Sequence, residues 1–255
     1  MIVIHIDSFP NGDTAFLKEC YKGLDDAIIL YNPTKAEINK TLEDYPTEDV
    51  MMLGHGSPSG LFSTDWHGNV IDRTNAHLLK DRNCIGIWCY AKRFAKQNGL
   101  KGYFTDMFIS NEGEAKCHGY NATDAEVFAE VEFFAKAVNT LIVDSVPYED
   151  WVERLQSIAN MERDFVHFNY SAMEYFDGTQ TPDKEYSLFD NYEYSGATTY
   201  PRDYSADLSW TNDSEVDMWF EDYCEENGIV GEWAKEIAYP LFVAGWNSHR
   251  YATEI

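Results

Sequence analysis

Residues 50–60 read VMMLGHGSPSG: four apolar residues in a row, then Gly54, His55, Gly56 and a short serine–proline–glycine stretch. An unbroken apolar run of this length reads as a strand covered on both faces, because a strand with one wet face would alternate apolar and polar residues. The glycine that closes the run marks where the chain leaves the sheet. His55 therefore stands just past the carboxyl end of a buried strand.

Working outward, four further runs have the same character: residues 2–6 (IVIHI), 27–31 (AIILY), 84–88 (CIGIW) and 103–109 (YFTDMFI). Between them lie stretches with helical spacing, at residues 12–23, 34–45, 75–81 and 91–99. Thr34 with Glu37 three places on is a capping-box pattern for the second of these. Strands alternating with helices predict an α/β fold, with a mostly parallel sheet flanked by helices on both faces in an α/β/α sandwich. Helices over residues 121–141, capped by Asn121 or Thr123, and over 147–160 complete a domain read as residues 1–175.

The character then changes. Residues 177–204 are rich in Gly, Thr, Pro, Asp and Tyr without periodicity and read as a loop, followed by short helical candidates at 214–227 and 231–247. Residues 176–255 hold 17 acidic and 4 basic residues, a net of −13, against −12 for the much longer stretch before them. They read as an acidic, aromatic-rich linker and a small helical C-terminal region.

A formal charge of −25 argues against direct binding to nucleic acid, which rests on cations that displace counterions from phosphate. Solubility, or a basic partner, accounts for it. Five cysteines at 20, 84, 89, 117 and 224 include no CxxC pair, so neither a disulfide framework nor a zinc site is indicated. Residues 1–7 lack the basic region and long apolar stretch of a secretory signal, and no apolar run reaches membrane-spanning length. A cytoplasmic protein with no membrane contact is expected. No HExxH, EF-hand, GxGxxG or Walker pattern occurs, so no metal and no cofactor are expected.

The second telling stretch is residues 84–91, CIGIWCYA, where a strand runs into Cys89 and a helix follows. Ligands of open α/β sheets bind past the carboxyl ends of the strands. If this strand and that of residues 50–54 are neighbours, His55 and Cys89 share one sheet edge. A thiol attacks as thiolate, and an imidazole or the N-terminus of the following helix makes thiolate available. Gly56 lacks a Cβ, so its backbone can approach a scissile carbonyl. Its N–H and that of Cys89 form a candidate oxyanion hole. Ser57 opens a turn suited to lining the cleft.

Residues 51–56 (MMLGHG) and 85–89 (IGIWC) together resemble the caspase-like, clan CD cysteine peptidases, and the HGSPSG loop is most similar to their bacterial CHAT and gingipain-like branch. The resemblance covers roughly residues 1–160. It implies a protein or peptide substrate and hydrolysis through a thioester; a protein regulator is a further expected partner, with control coming from residues 177–204, from the acidic tail or from that partner. His55 would be the base and then the proton donor to the leaving amine. Cys89 would be the nucleophile, and Gly56 and Cys89 the oxyanion donors. Many members carry an acid two residues before the cysteine and a small residue just before it; here Ile87 and Trp88 stand there, which argues against transferring a preference for basic side chains. Asp106 in the fifth strand, and Glu112 and Glu114 in the loop after it, are the acids placed to receive such a side chain instead. The alternative is a catalytically silent caspase-like binding protein whose acidic surface engages a basic or nucleic-acid-binding partner.

Rival chemistry is weaker. Cys117 and His118 are adjacent, and adjacent residues rarely form a nucleophile–base pair. His67 reads as part of a hairpin turn, His77 is a second rival base, His5 reads as a core histidine, and Cys84 as structural.

Overall fold

The computed structural model describes residues 1–7, 14–64 and 68–180. The chain divides into Met1–Asn191 and Tyr192–Ile255, and every described residue belongs to the first unit. The helical candidates at 214–227 and 231–247, most of the acidic C-terminal region, and His67 lie outside the described residues.

Among the described residues nine strands form in chain order: β1 (Ile2–His5), β2 (Ile28–Tyr31), β3 (Val50–Leu53), β4 (Gly56–Ser57), β5 (Gly60–Phe62), β6 (Asn69–Asp72), β7 (Asn83–Ile87), β8 (Lys101–Phe104) and β9 (Glu174–Asp177). The helices are α1 (Lys35–Asp44), α2 (Ala91–Asn98), α3 (Glu112–Cys117), α4 (Asp124–Val143), α5 (Trp151–Ile158) and α6 (Asp164–Ser171). The main sheet has the order β2-β1-β3-β7-β8-β9. Its first five strands are parallel, and β9 closes the edge antiparallel to β8. Strands β4, β5 and β6 make a small antiparallel sheet.

The continuous apolar runs are explained by cores on both faces. Val3, Met51, Leu53, Ile85, Ile87 and Tyr103 pack on one side with residues of α4, α5 and α6. Their sequence neighbours Ile2, Ile4, Val50, Met52, Cys84 and Phe104 pack on the other with α1, α2 and the small sheet. Period-two alternation thus divides apolar side chains between two cores rather than between core and water. The result is a mixed α/β fold with a mostly parallel six-stranded sheet flanked by helices.

Helix starts follow local chemistry. Thr34 and Glu37 make a reciprocal capping box at α1, and Thr123 with Glu126, rather than Asn121, does the same at α4. Elsewhere the structure corrects the expected boundaries. Residues 103–109 do not form one strand. β8 ends at Phe104, and after Thr105 N–H bonds to the Gly86 carbonyl at 3.0 Å there is no β7 left to pair with, since β7 ends at Ile87. Asp106 therefore lies in the loop beyond β8. The segment read as a loop around residue 112 is helix α3, capped by the Asn111 side chain on Glu114 N–H at 2.8 Å. Helix α6 and strand β9 were not anticipated.

One buried polar cluster sits at the end of β1. His5 is fully buried; its Nε2 faces the Thr14 carbonyl at 3.2 Å and its Nδ1 the Tyr21 hydroxyl at 2.9 Å. A carbonyl only accepts, so Nε2 carries the proton and Nδ1 accepts from tyrosine. Burial holds the imidazole down, from 6.5 to about 4, against the opposing pull of Asp7. The unfolded chain therefore binds a proton that the folded chain refuses between those two values. Stability from this group is complete above pH 6.5 and is lost as pH falls through 6.5 towards 4, by about 3 kcal/mol in all. Urea unfolding from pH 7 to pH 4 is expected to show that loss, and His5→Gln, which keeps a donor for Thr14, a shallower one; equal slopes would remove His5 as the cause.

Candidate active site

β3 and β7 are hydrogen-bonded neighbours, and their register pairs Val50 with Cys84 through to Leu53 with Ile87. The Gly54 N–H still donates to the Ile87 carbonyl at 3.2 Å, so the strands part only after this point. Two residues past the last pair stand His55 on one strand and Cys89 on the other. Both are partly exposed. The connections reverse direction between β1 and β3, since β2 lies beyond β1 while β7 and β8 lie beyond β3. His55 follows a strand that flanks this reversal, where open sheets leave a ligand crevice.

Trp88 is the bracket that joins the two motifs. It is 2% exposed, and its Nε1–H donates to the Ser57 carbonyl at 3.2 Å. The indole lies where side chains at two glycines would be: a Cβ on Gly56 would fall 2.2 Å from Trp88 Cδ1, and one on Gly86 2.9 Å from the far rim of the ring. The bulky residue before Cys89 thus fits because Gly56 and Gly86 make room for it. Ile87 is buried in the core cluster shared with α4, α5 and α6. Ser57 turns its hydroxyl onto the Ser59 N–H at 3.1 Å. The stretch 56–62 is a tight hairpin, with Gly56 opposite Leu61 and Ser57 opposite Gly60, rather than an open loop.

Beyond Cys89 the chain turns sharply. Tyr90 adopts φ +69°, a left-handed conformation that costs a non-glycine residue about 1–2 kcal/mol. The Arg93 guanidinium covers its ring at 4.6 Å. The first amides of α2 are already occupied: Ala91 N–H bonds the Trp88 carbonyl at 3.2 Å and Lys92 N–H the Thr105 carbonyl at 2.7 Å. The helix N-terminus therefore does not stabilise a thiolate as expected. The Cys89 S–H points to the Phe108 carbonyl at 3.8 Å, and the thiol is pushed up to about 12, first by burial and next by the negative charge of Glu114. At rest the Cys89 side chain is a neutral thiol. The Cys89 N–H has no hydrogen-bond partner among the described residues, which leaves a donor open beside the thiol.

The three candidate acids have different surroundings. Asp106 is engaged by α2, with Lys92 Nζ at 3.2 Å and Arg93 Nε at 3.6 Å. Glu112 pairs with Lys116 at 2.7 Å. Glu114 accepts from the Ser110 N–H at 2.7 Å and hydroxyl at 3.0 Å. The loop that carries Phe108 and Ser110 is braced by Asn169, 1% exposed, whose amide both accepts from Ile109 N–H at 2.8 Å and donates to its carbonyl at 3.0 Å. Sequence reasoning missed Asn169, because α6 itself carries no strong periodic signal.

The rivals fall elsewhere. Cys117 is exposed at the end of α3, and the His118 ring packs on Phe168 at 5.0 Å. Cys20 and Cys84 are buried free thiols. Among the described residues no group of three or more His, Cys, Asp or Glu side chains gathers as around a metal ion, and no helix is long and apolar enough to cross a membrane. No protein-family model and no curated protein matches this chain.

Proposed function

We propose that this chain is a caspase-like cysteine peptidase in which Cys89 attacks and His55 carries the proton. The observation that supports the reading is the register of Leu53 with Ile87, since His55 and Cys89 each follow two residues past that pair on neighbouring strands. In the proposed reaction the Sγ proton passes to the His55 imidazole as sulfur bonds to the carbonyl carbon of a peptide. The oxyanion is received by the Cys89 N–H and that of Gly56. The C–N bond then breaks, His55 returns the proton to the leaving amine, and water hydrolyses the thioester with His55 as base.

A neutral resting thiol suits this cycle, because imidazole takes the proton as attack begins. The same neutral thiol is the observation that favours the second reading, a silent binding protein on this fold. Protein or peptide substrate and cytoplasmic location belong to the proposal. A peptide library profiled with wild type and Cys89→Ala separates the readings. Cleavage present in the first and absent in the second is expected; a library untouched by folded wild type, with tight capture of one basic partner, would favour the binding protein.

A further inference from the structure

We propose that the cleft between the carboxyl end of α2 and the single 3-10 turn Ala76–Leu79 is a binding site for a small phosphate ester, with Arg73, His77 and Lys80 receiving the phosphate. The proposal is independent of the reading of Cys89 as a nucleophile. The turn leads into β7 and α2 leads into β8, so the cleft lies towards the amino ends of these strands, opposite the end that carries His55 and Cys89.

The cleft has a volume of about 340 Å³ and is lined by Arg73, His77 and Lys80 from the turn and its flanks and by Gln97 and Asn98 from α2. That volume is within the range of small-molecule sites. The turn is fixed from beneath. Ala76 and Leu79 are buried in the core. Asn75, 1% exposed, accepts from the Asp72 N–H at 2.9 Å and donates to the Val70 carbonyl at 2.9 Å and to Asn39 Oδ1 at 2.8 Å. The three bases are thereby carried on a braced segment with their side chains exposed.

The charge at this cleft runs against the rest of the chain, which holds 44 acidic residues against 19 Lys and Arg. Lys18, Lys35, Lys92 and Arg163 each sit against a carboxylate. The side chains of Arg73, His77 and Lys80 form no ion pair and no hydrogen bond among the described residues. Asp72, the acid next to Arg73, is taken by Lys35 at 2.5 Å and by the Thr74 N–H at 2.8 Å. Asp81, next to Lys80, does not line the cleft. The carboxyl end of α2 contributes about −0.5 charge, which is too little to balance a guanidinium and an ammonium together. A phosphate monoester carries close to two negative charges at neutral pH and accepts from both groups, bidentate from the guanidinium. The other wall suits the organic part. Asn98 Nδ2 is committed to the Phe94 carbonyl at 2.9 Å, which leaves its Oδ1 to accept from a hydroxyl, and the Gln97 amide has no hydrogen-bond partner among the described residues.

The test is a titration of the full ¹⁵N-labelled chain with glycerol 3-phosphate, inorganic phosphate and acetate at one ionic strength, followed by amide shifts. Glycerol 3-phosphate is expected to give saturable shifts confined to residues 73–80 and 97–99, with inorganic phosphate weaker and acetate weaker still. Arg73→Gln and Lys80→Gln change exposed side chains, and the unchanged remainder of each spectrum shows that the fold is intact. Each is expected to weaken binding about tenfold, the order of one lost charge-assisted hydrogen bond. Arg154→Gln removes the same charge from an exposed position on α5, which packs on the other face of the sheet, and is expected to change nothing. Shifts that never saturate, or an equal loss in Arg154→Gln, would overturn the proposal, since the attraction would then be non-specific. Acetate or inorganic phosphate bound as tightly as glycerol 3-phosphate would overturn the assignment to a phosphate ester. A phosphoserine peptide bound more tightly than glycerol 3-phosphate would overturn the small-molecule assignment in favour of a phosphorylated protein partner.

Discussion

Replacing His55 by alanine is expected to slow acylation of Cys89 by a peptide electrophile roughly 10²–10⁴-fold, the usual worth of a positioned general base. The thiol sets the size of the effect. It is pushed up to about 12 by burial and by Glu114, and the first amides of α2 are bonded elsewhere. About one molecule in 10⁵ then holds thiolate at pH 7 without help. Attack in wild type proceeds by handing the proton to imidazole, and alanine removes the acceptor. The residual rate of His55→Ala is expected to climb close to tenfold per pH unit through the alkaline range, because only ionisation by solvent then supplies thiolate. The wild-type rate climbs less steeply. Rate constants measured between pH 6 and pH 10 check both statements, and parallel profiles of the two proteins would exclude His55 as the base.

A large loss of stability is expected from Gly56→Ala. An added Cβ would lie 2.2 Å from Trp88 Cδ1 and 2.5 Å from the Gly60 carbonyl oxygen. The first obstacle is a buried ring that bonds Ser57, and the second is backbone of the hairpin itself. Neither yields as a flexible side chain would, so the cost should exceed the ~1–3 kcal/mol of ordinary overpacking. Trp88→Leu in the same chain is expected to restore part of the loss, since it clears the indole but leaves the Gly60 carbonyl in place. Denaturant midpoints of the two single variants and the double variant measure the coupling. Simple additivity would mean that Trp88 and Gly56 do not share this space.

How far the sequence was legible follows from what each residue's neighbours along the chain could reveal. β1, β3 and β7 were readable because doubly covered parallel strands leave continuous apolar runs; edge strand β2 gave the same apolar run although Ile29 and Tyr31 are exposed, and all four lie within one residue of the expected bounds. The Thr34–Glu37 cap was readable because both partners sit within four residues. β8 was misread because Phe108 and Ile109 are apolar for a different reason: they are core residues of a loop held to α6 by Asn169. Trp88 looked like a departure from the family pattern, and its reason lies in glycines two residues before it and 32 residues before it. The charge partners of Asp106 and Glu112, and the lack of one at Glu114 among the described residues, depend on where α2 and α3 sit in space. No single-chain spacing carries that information.

The most direct test of the central claim is to map where a peptide electrophile lands among the five cysteines. Wild type treated with a peptide acyloxymethyl ketone and digested for mass analysis is predicted to carry one adduct, on Cys89, that vanishes in Cys89→Ala and falls sharply in folded His55→Ala. An adduct on exposed Cys117 with Cys89 untouched, or labelling of Cys89 that is indifferent to His55, would contradict it.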